Sequence, residues 1–309
     1  MTDNVRGILL AFFGIVLLSP DSLLIRLIGL DLWTLGFLRA AFVAAALLLL
    51  NVMVNRRAAF AHYRCFDRYA WGAMATMVIS TLGFVAAVQT TSVAHTLIML
   101  GTVPIITAIL AWVFLGERIS GRTAAIIGLV VVCLVMVVYD DTNSTLAGDV
   151  YALVTAVAFS VTFIMARRTR LPNLLAPFSV SGALMALVCL PMAALHDVSL
   201  GQVGLSGLLG ALVAGAYFLL MLAPRFISPA EVAVFAPLET LIGTCLAWWV
   251  LNEYPGDWSV AGGVGVMAAL LAHSVLQVRG QRSRPGGGVA PVVAVTTKTT
   301  NTNDARGAG

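Results

Sequence analysis

Lysine is nearly absent from the 309-residue chain, in which Lys298 is the only one. A Walker A phosphate loop and a lysine Schiff base each require a lysine, so the apolar part of the sequence can form neither. This excludes ATP-driven pumping by the chain alone. Charged residues make up only 10% of the sequence, whereas soluble domains contain about 25%. A soluble globular fold is therefore excluded as well.

Cysteine and histidine are also scarce. The four cysteines lie far apart in the sequence, at Cys65, Cys133, Cys189 and Cys245. No pair has the spacing of a disulfide framework or a metal site, so we expect no metal and no bound cofactor. A membrane-embedded enzyme would need a cluster of His, Asp or Cys ligands near one face. The four histidines are too dispersed for that, and we predict that the chain is not an enzyme.

Apolar residues dominate what is present. They form 60% of the chain, and the mean hydropathy is +0.97. Long apolar runs recur, each close to the roughly 20 residues with which a helix crosses a bilayer. The sequence therefore predicts an all-α integral membrane protein with ten transmembrane helices. The predicted spans are residues 7–28, 32–54, 69–89, 92–115, 122–139, 147–166, 173–195, 205–224, 228–251 and 258–278.

The basic residues predict the orientation. If the ten spans alternate in direction, 16 of the 18 basic residues fall on one side, and the opposite loops are acidic. The positive-inside rule then places both termini in the cytoplasm. A charge pattern this dispersed indicates topology and excludes a nucleic-acid partner. Residues 280–309 are rich in Gly, Thr and Pro, which predicts a disordered cytoplasmic tail.

The chain also contains an internal repeat. Residues 92–117 align without gaps to residues 228–253, and eight positions are identical, including Trp112 with Trp248 and Glu117 with Glu253. This predicts two five-helix repeats, at 1–142 and 143–279. Because five is odd, the second repeat must be inserted upside down relative to the first. Inverted repeats of this kind are typical of secondary transporters, in which two halves move about a site near the midplane.

The sequence resembles the EamA-type members of the drug/metabolite transporter superfamily. The resemblance rests on the ten spans, the two repeats and the repeat ends Leu115-Gly116-Glu117 and Leu251-Asn252-Glu253. It implies a bacterial inner-membrane carrier that exports or exchanges small metabolites, often amino acids, without ATP. The family's second repeat tends to read Leu-Glu-Pro in its ninth helix, whereas this chain has Leu238-Glu239-Thr240, with the proline displaced to Pro237.

Three charged residues lie deep within predicted spans, namely Asp21, Arg39 and Glu239. A charge at the bilayer centre costs about 2.5–3.5 kcal/mol on insertion scales, so such residues normally face a cavity or a partner. Asp21 and Arg39 lie at the same depth, about 10 Å below the outer surface at 1.5 Å per residue. We therefore predict an ion pair between them. A purely structural pair and a substrate-binding pair both remain open.

Glu239 is predicted to lie near the midplane, beside the helix break at Pro237. Broken helices often line binding sites in transporters. Glu239 could bind an ammonium group of a substrate, carry a coupling proton, or be a buried structural carboxyl. Pro104 and Pro20 predict similar breaks in the fourth and first spans.

Three further polar residues are weaker candidates for the site. His95, at the outer start of the fourth span, is either a proton relay or an interfacial residue with satisfied hydrogen bonds. Gln89 and Tyr217 could contribute polar contacts to a cavity.

Together these residues predict a midplane cavity lined by the first, second, fourth and ninth spans. One cation between two carboxylates would suit a zwitterionic metabolite such as an amino acid. The sequence leaves open a membrane enzyme, a structural membrane subunit and a channel as alternatives, and it does not decide between a monomer and a homodimer.

Overall fold

All secondary structure that the computed structural model describes is helical. The described residues are 3–56, 59–64, 66–115, 121–140, 145–169, 171, 174–223, 226–227, 235–252 and 257–282. The predicted tail from residue 283 onward lies outside them, and the last helix continues through residues 280–282, which the sequence assigned to that tail.

The described residues of the first half form seven helices and one short 3₁₀ turn. They are α1 (Asp3–Leu18), α2 (Asp21–Ile28), α3 (Leu32–Asn55), the 3₁₀ turn Ala61–Arg64, α4 (Arg68–Thr90), α5 (Val93–Leu100), α6 (Val103–Leu115) and α7 (Gly121–Asp140). The pairs α1–α2 and α5–α6 each occupy one predicted span, so both of these spans are interrupted helices.

The second half of the chain is helical in the same way. Its elements are α8 (Leu146–Arg168), α9 (Leu175–Cys189), the 3₁₀ turns Leu190–Met192 and Leu195–Asp197, α10 (Leu200–Leu222), α11 (Ala236–Leu251) and α12 (Asp257–Arg282). The predicted ninth span begins at residue 228, but residues 228–234 lie outside the described part of the chain.

Within the described residues, seven helical segments are long and apolar enough to cross a membrane. They are Val5–Ile28, Leu32–Asn55, Arg68–Thr90, Val93–Phe114, Leu146–Ala166, Leu175–Met192 and Leu200–Leu222. Two shorter apolar helices follow, at Leu238–Leu251 and Val260–Ala269. Many large apolar side chains on these helices are exposed, for example Leu49 and Trp249. These features are those of a multi-pass membrane protein, whose outer surface contacts lipid.

Helices from the two halves pack against each other throughout the molecule. The most extensive contacts join α4 to α8, α3 to α9 and α7 to α12, and α10 packs on both α1 and α3. Close approach at α3 depends on glycine, because a Cβ atom at Gly210 would lie 2.4 Å from Cβ of Phe42. At Gly182 of α9, a Cβ atom would lie 3.1 Å from the carbonyl oxygen of Ala40. Small residues thus let α9 and α10 pack tightly on α3.

A tight turn joins α2 to α3 and fixes their relative position. Gly29 ends α2 in the left-handed conformation, with φ of 63°, which glycine adopts without strain. Asp31 is the N-cap of α3, and its Oδ2 accepts hydrogen bonds from the amides of Trp33 at 3.0 Å and Thr34 at 3.1 Å. Partial desolvation opposes ionisation of Asp31, but its hydrogen bonds with Thr34 and Trp33 outweigh this and hold its pKa below the ordinary value.

We expect Asp31→Ala to lower the stability of the protein by about 1 kcal/mol, because the amides at the start of α3 lose their acceptor. The variant should melt at a lower temperature in detergent, and Asp31→Asn, which is an equally good N-cap, should melt close to the wild type. Because the pKa of Asp31 is lowered, the contribution of the ionised carboxylate should be present at neutral pH and be lost as the pH falls through that pKa. Equal melting of the Ala and Asn variants would contradict this role.

Candidate functional site

Asp21 and Arg39 form a two-point ion pair in the interior. Nε of Arg39 donates to Oδ1 of Asp21 at 3.1 Å, and Nη2 donates to Oδ2 at 2.5 Å. Asp21 is in the first turn of α2, and Arg39 is two turns into α3. The side chains are only 7% and 4% exposed. The ion pair predicted from equal depth in the membrane is therefore present, while its role in substrate binding stays a prediction.

Aromatic side chains surround the guanidinium group. Its carbon lies 6.0 Å from the ring centroid of Phe84 on α4, within the range of a cation–π interaction. Tyr217 of α10 interacts electrostatically with Arg39 and with Asp21. The Tyr217 ring in turn packs against Phe178 of α9, with 6.0 Å between the ring centroids. Arg39 is thus enclosed by groups from α2, α4 and α10.

A small cavity of about 20 Å³ adjoins Arg39. It lies between α3, α4, α9 and α10 and is lined by Arg39, Ala40, Val43, Met77, Thr81, Phe178, Ser181, Gly182, Met185, Val213 and Tyr217. The sequence placed the cavity among the first, second, fourth and ninth spans, and of these only the second, α3, borders it. Gly182 of α9 lines the cavity, and a Cβ atom there would lie 3.1 Å from the carbonyl oxygen of Ala40 on α3.

Thr81 and Ser181 line this cavity but are not among the site residues predicted from the sequence. A charged residue in an apolar span is a strong signal of a site, because it is costly in a membrane. A hydroxyl group in an apolar span is a weaker signal, because it can donate to a carbonyl of its own helix. Ser181 does this, donating to the carbonyl of Phe178 at 2.8 Å.

Glu239 lies in the first turn of α11 rather than deep within a continuous helix, since the described helix begins at Ala236. Its side chain is partly buried. It interacts electrostatically with Asp21 and with Tyr217. The structure therefore brings four of the six predicted site residues, Asp21, Arg39, Tyr217 and Glu239, into one electrostatic cluster.

The three prolines predicted to break helices stand at helix starts. Pro20 is the N-cap of α2, and Pro104 and Pro237 are the second residues of α6 and α11. Proline is well tolerated there, because the first amides of a helix have no partner within the helix. The middle of α11 packs on the α1–α2 break: a Cβ atom at Gly243 would lie 3.4 Å from the carbonyl oxygen of Ser19.

His95 is placed away from this cluster. It is buried in α5, and its Nε2 lies 2.7 Å from Oδ1 of Asp149 in the first turn of α8. The sequence did not associate these two residues, which are 54 positions apart. Their contact joins the fourth and sixth predicted spans, near the end of the molecule where α2 ends.

Gln89 also has a different role from the predicted one. Its Nε2 donates to the carbonyl of Leu30 at 2.9 Å, beyond the end of α2. Nearby, Gln202 donates to the carbonyl of Ile28 at 3.0 Å, and Arg26 donates to the carbonyl of Thr91 at 2.6 Å. These side chains satisfy backbone groups at chain turns and tie that end of the helix bundle together.

Residues 146–275 match the family model of the EamA-like transporter family. The match covers less than half of the 309-residue chain. The EamA-like segment begins at the first residue of α8 and ends within α12, so it comprises α8–α11 and most of α12. The membrane helices and the matched segment are consistent with a membrane transporter of the drug/metabolite transporter superfamily.

A solved structure, described only as the crystal structure of a protein, is similar in fold to this chain. The two share 16% sequence identity with a TM-score of 0.65, and the match covers 88% of this chain and 98% of the other. At this identity the likeness concerns the fold alone. No curated protein matches the sequence. In the described part of the chain, no three His, Cys, Asp or Glu side chains are grouped so that they could hold a metal ion.

We expect the Asp21–Arg39 pair to be strongly coupled. Asp21→Asn leaves a buried cation without its counter-charge, and Arg39→Gln leaves a buried carboxylate, so each should destabilise the protein by about 3–5 kcal/mol. The double variant Asp21→Asn/Arg39→Gln leaves no unpaired charge and should be more stable than either single variant. Denaturant unfolding in detergent measures all four proteins. If the two single effects simply add in the double variant, the pair is not coupled in this way.

Proposed function

We propose that the chain is a secondary transporter that exports or exchanges small zwitterionic metabolites such as amino acids. The supporting observation is the cluster of Asp21, Arg39, Tyr217 and Glu239 inside a helical membrane protein with an EamA-like segment. Charged groups inside a membrane are costly, and in transporters they mark the substrate or ion path. We place the protein in the bacterial inner membrane with both termini in the cytoplasm, on the distribution of basic residues.

The contacts between helices support two inverted repeats. In the proposed repeats, α1–α2, α3, α4, α5–α6 and α7 correspond to α8, α9, α10, α11 and α12. A two-fold axis that relates the repeats would convert the contact between α4 and α8 into the contact between α1 and α10. It would likewise convert the contact between α3 and α10 into the contact between α4 and α9. All four contacts are present. The same axis maps α3–α9 and α7–α12 onto themselves, and these are among the most extensive contacts. Such a scaffold suits alternating access, in which one half moves against the other.

The charge balance of the cluster supports a zwitterion. Arg39 offers a planar set of donors that matches a carboxylate, and Glu239 offers a carboxylate at a helix start. Asp21 neutralises Arg39 when no substrate is bound, which reduces the cost of keeping a cation in the membrane interior. In the proposed cycle, Glu239 binds either the ammonium group of the substrate or a coupling proton, so the two would exchange at one site.

The contacts between the halves support closure at the outer end in this conformation. His95 contacts Asp149, and Oγ1 of Thr145 donates to the carbonyl of Thr90 at 2.9 Å. The cavity beside Arg39 has a volume of about 20 Å³, which is about the space that one water molecule occupies. We infer that substrate enters only after the helices around the cavity separate, as alternating access requires.

Transport by the purified protein in proteoliposomes tests the proposal. We expect uptake of at least one of the standard amino acids, offered as labelled compounds with and without an imposed pH gradient. Glu239→Gln should slow that uptake by about 10-fold, because a charge-assisted hydrogen bond is lost, and should remove its response to the pH gradient. Asp197→Asn is the matched control, since Asp197 is 74% exposed and contacts His196.

The proposal is contradicted in either of two ways. Glu239→Gln could transport at the wild-type rate with the same pH dependence, which would remove Glu239 from the site. Alternatively, wild-type protein that is correctly folded and inserted could transport none of the amino acids, which would remove the substrate class.

A further inference from the structure

The guanidinium group of Arg39 has donors that Asp21 does not use. The Asp21 contacts involve Nε and Nη2, and a guanidinium carries five N–H donors in a plane. Among the described residues, Nη1 of Arg39 makes no hydrogen bond. Arg39 is only 4% exposed, and it lines the cavity between α3, α4, α9 and α10. The unused edge of a buried cation therefore borders a cavity.

Two hydroxyl groups line the same cavity with their protons available. Thr81 and Tyr217 form no hydrogen bond with other described residues, in contrast to Ser181, which donates to the carbonyl of Phe178. Thr81 is three residues before Phe84, so the two share a face of α4, and Phe84 packs on the Arg39 guanidinium. Thr81 and Tyr217 thus flank Arg39 from α4 and α10.

The lining of the cavity contains one cation and no carboxylate. Asp21 and Glu239 are not among the lining residues. Apart from apolar groups, the lining therefore presents the Arg39 cation and hydroxyl groups, which can donate hydrogen bonds. An oxyanion fits this chemistry, because it can accept hydrogen bonds from all three side chains, whereas an ammonium group would find no anionic partner there.

We propose that this cavity is the subsite for the carboxylate of the transported molecule, with Arg39, Thr81 and Tyr217 as its hydrogen-bond donors. This inference rests on the proposed function and defines the orientation of the bound substrate. The carboxylate lies between α4 and α10, and the ammonium group faces Glu239 on α11. Met77 and Met185 form two of the walls. Their side chains are unbranched and flexible, so they can move aside as a carboxylate enters the small cavity.

Matched competitors test the subsite. The tracer is the labelled amino acid with the highest uptake, and the competitors are its amide, which lacks the carboxylate, and its deaminated acid, which lacks the ammonium group. For leucine these are leucinamide and 4-methylpentanoate. With wild-type protein, we expect the deaminated acid to compete and the amide to compete at least about 10-fold more weakly than the amino acid itself. An amide that competes as well as the amino acid would overturn the proposal.

Removal of the two hydroxyl groups tests whether the carboxylate subsite lies in this cavity. Thr81→Val and Tyr217→Phe keep the shape of each side chain and remove one donor. Each should raise the KM for the amino acid about 3- to 10-fold and leave inhibition by the amide unchanged. Tyr151→Phe on α8 is the matched control and should behave as the wild type, because its side chain is exposed. Equal effects on the amino acid and the amide, or no effect on either, would overturn the assignment.

A binding measurement separates this proposal from the proposed function. The melting temperature of the purified protein in detergent is measured with leucine, leucinamide and 4-methylpentanoate at millimolar concentration. Stabilisation by the two carboxylates that is lost in Thr81→Val supports the subsite even when no transport is seen, in which case only the transport proposal fails. Stabilisation by leucinamide alone would overturn the subsite and leave transport of amines open.

Discussion

The ion pair of Asp21 and Arg39 is the interaction around which the interior of this protein is arranged. Either charge alone would be unstable in the low-dielectric interior, and together they need close two-point geometry to offset the cost of leaving water. That geometry requires that α2 and α3 keep a fixed position along their axes and a fixed rotation about them relative to each other. Gly29 and the Asp31 N-cap provide this at the turn between them. The pair is therefore a constraint on backbone structure as much as a source of charge.

Interrupted helices impose a second constraint, because every backbone group within a membrane must find a partner inside the protein. At the α1–α2 break, Oγ of Ser19 donates to the carbonyl of Ile15 at 2.8 Å. At the α5–α6 break, Oγ1 of Thr102 donates to the carbonyl of Met99 at 2.6 Å. Gln89, which the sequence suggested as a site residue, satisfies the carbonyl of Leu30 in the same way. Many polar side chains in this membrane protein thus serve the backbone, and only a few are left for a ligand.

Predictions from the sequence agree with the structure where they depend only on the position of a residue along its own helix. Depth along two neighbouring helices was enough to pair Asp21 with Arg39, and proline chemistry was enough to place helix starts near Pro20, Pro104 and Pro237. The predictions failed where the outcome depends on packing between distant helices. The contact of His95 with Asp149 requires α5 and α8 to meet, and neither sequence position indicates this.

The position of the cavity was missed for the same reason. It depends on how closely α9 and α10 approach α3, which is set at Gly182 and Gly210. A glycine in an apolar helix shows that a close approach is allowed, but it does not name the partner helix. The local signals agree with the Asp21–Arg39 pair and with the helix starts at the three prolines, and the pairing of helices was the missing information.

The asymmetry of the cluster suggests how binding could drive movement in the proposed mechanism. In the proposed repeats, a shift of 141 residues aligns the starts of the two halves and pairs Asp21 with Thr162. Thr162 forms a neutral hydrogen bond with Thr76 at 2.7 Å. The charged pair thus belongs to the first half, while Glu239 and Tyr217 belong to the second. A zwitterion held by Arg39 at one end and Glu239 at the other would contact both halves at once. Its binding energy would then depend on their relative position, which is the condition for a ligand to shift the balance between two conformations.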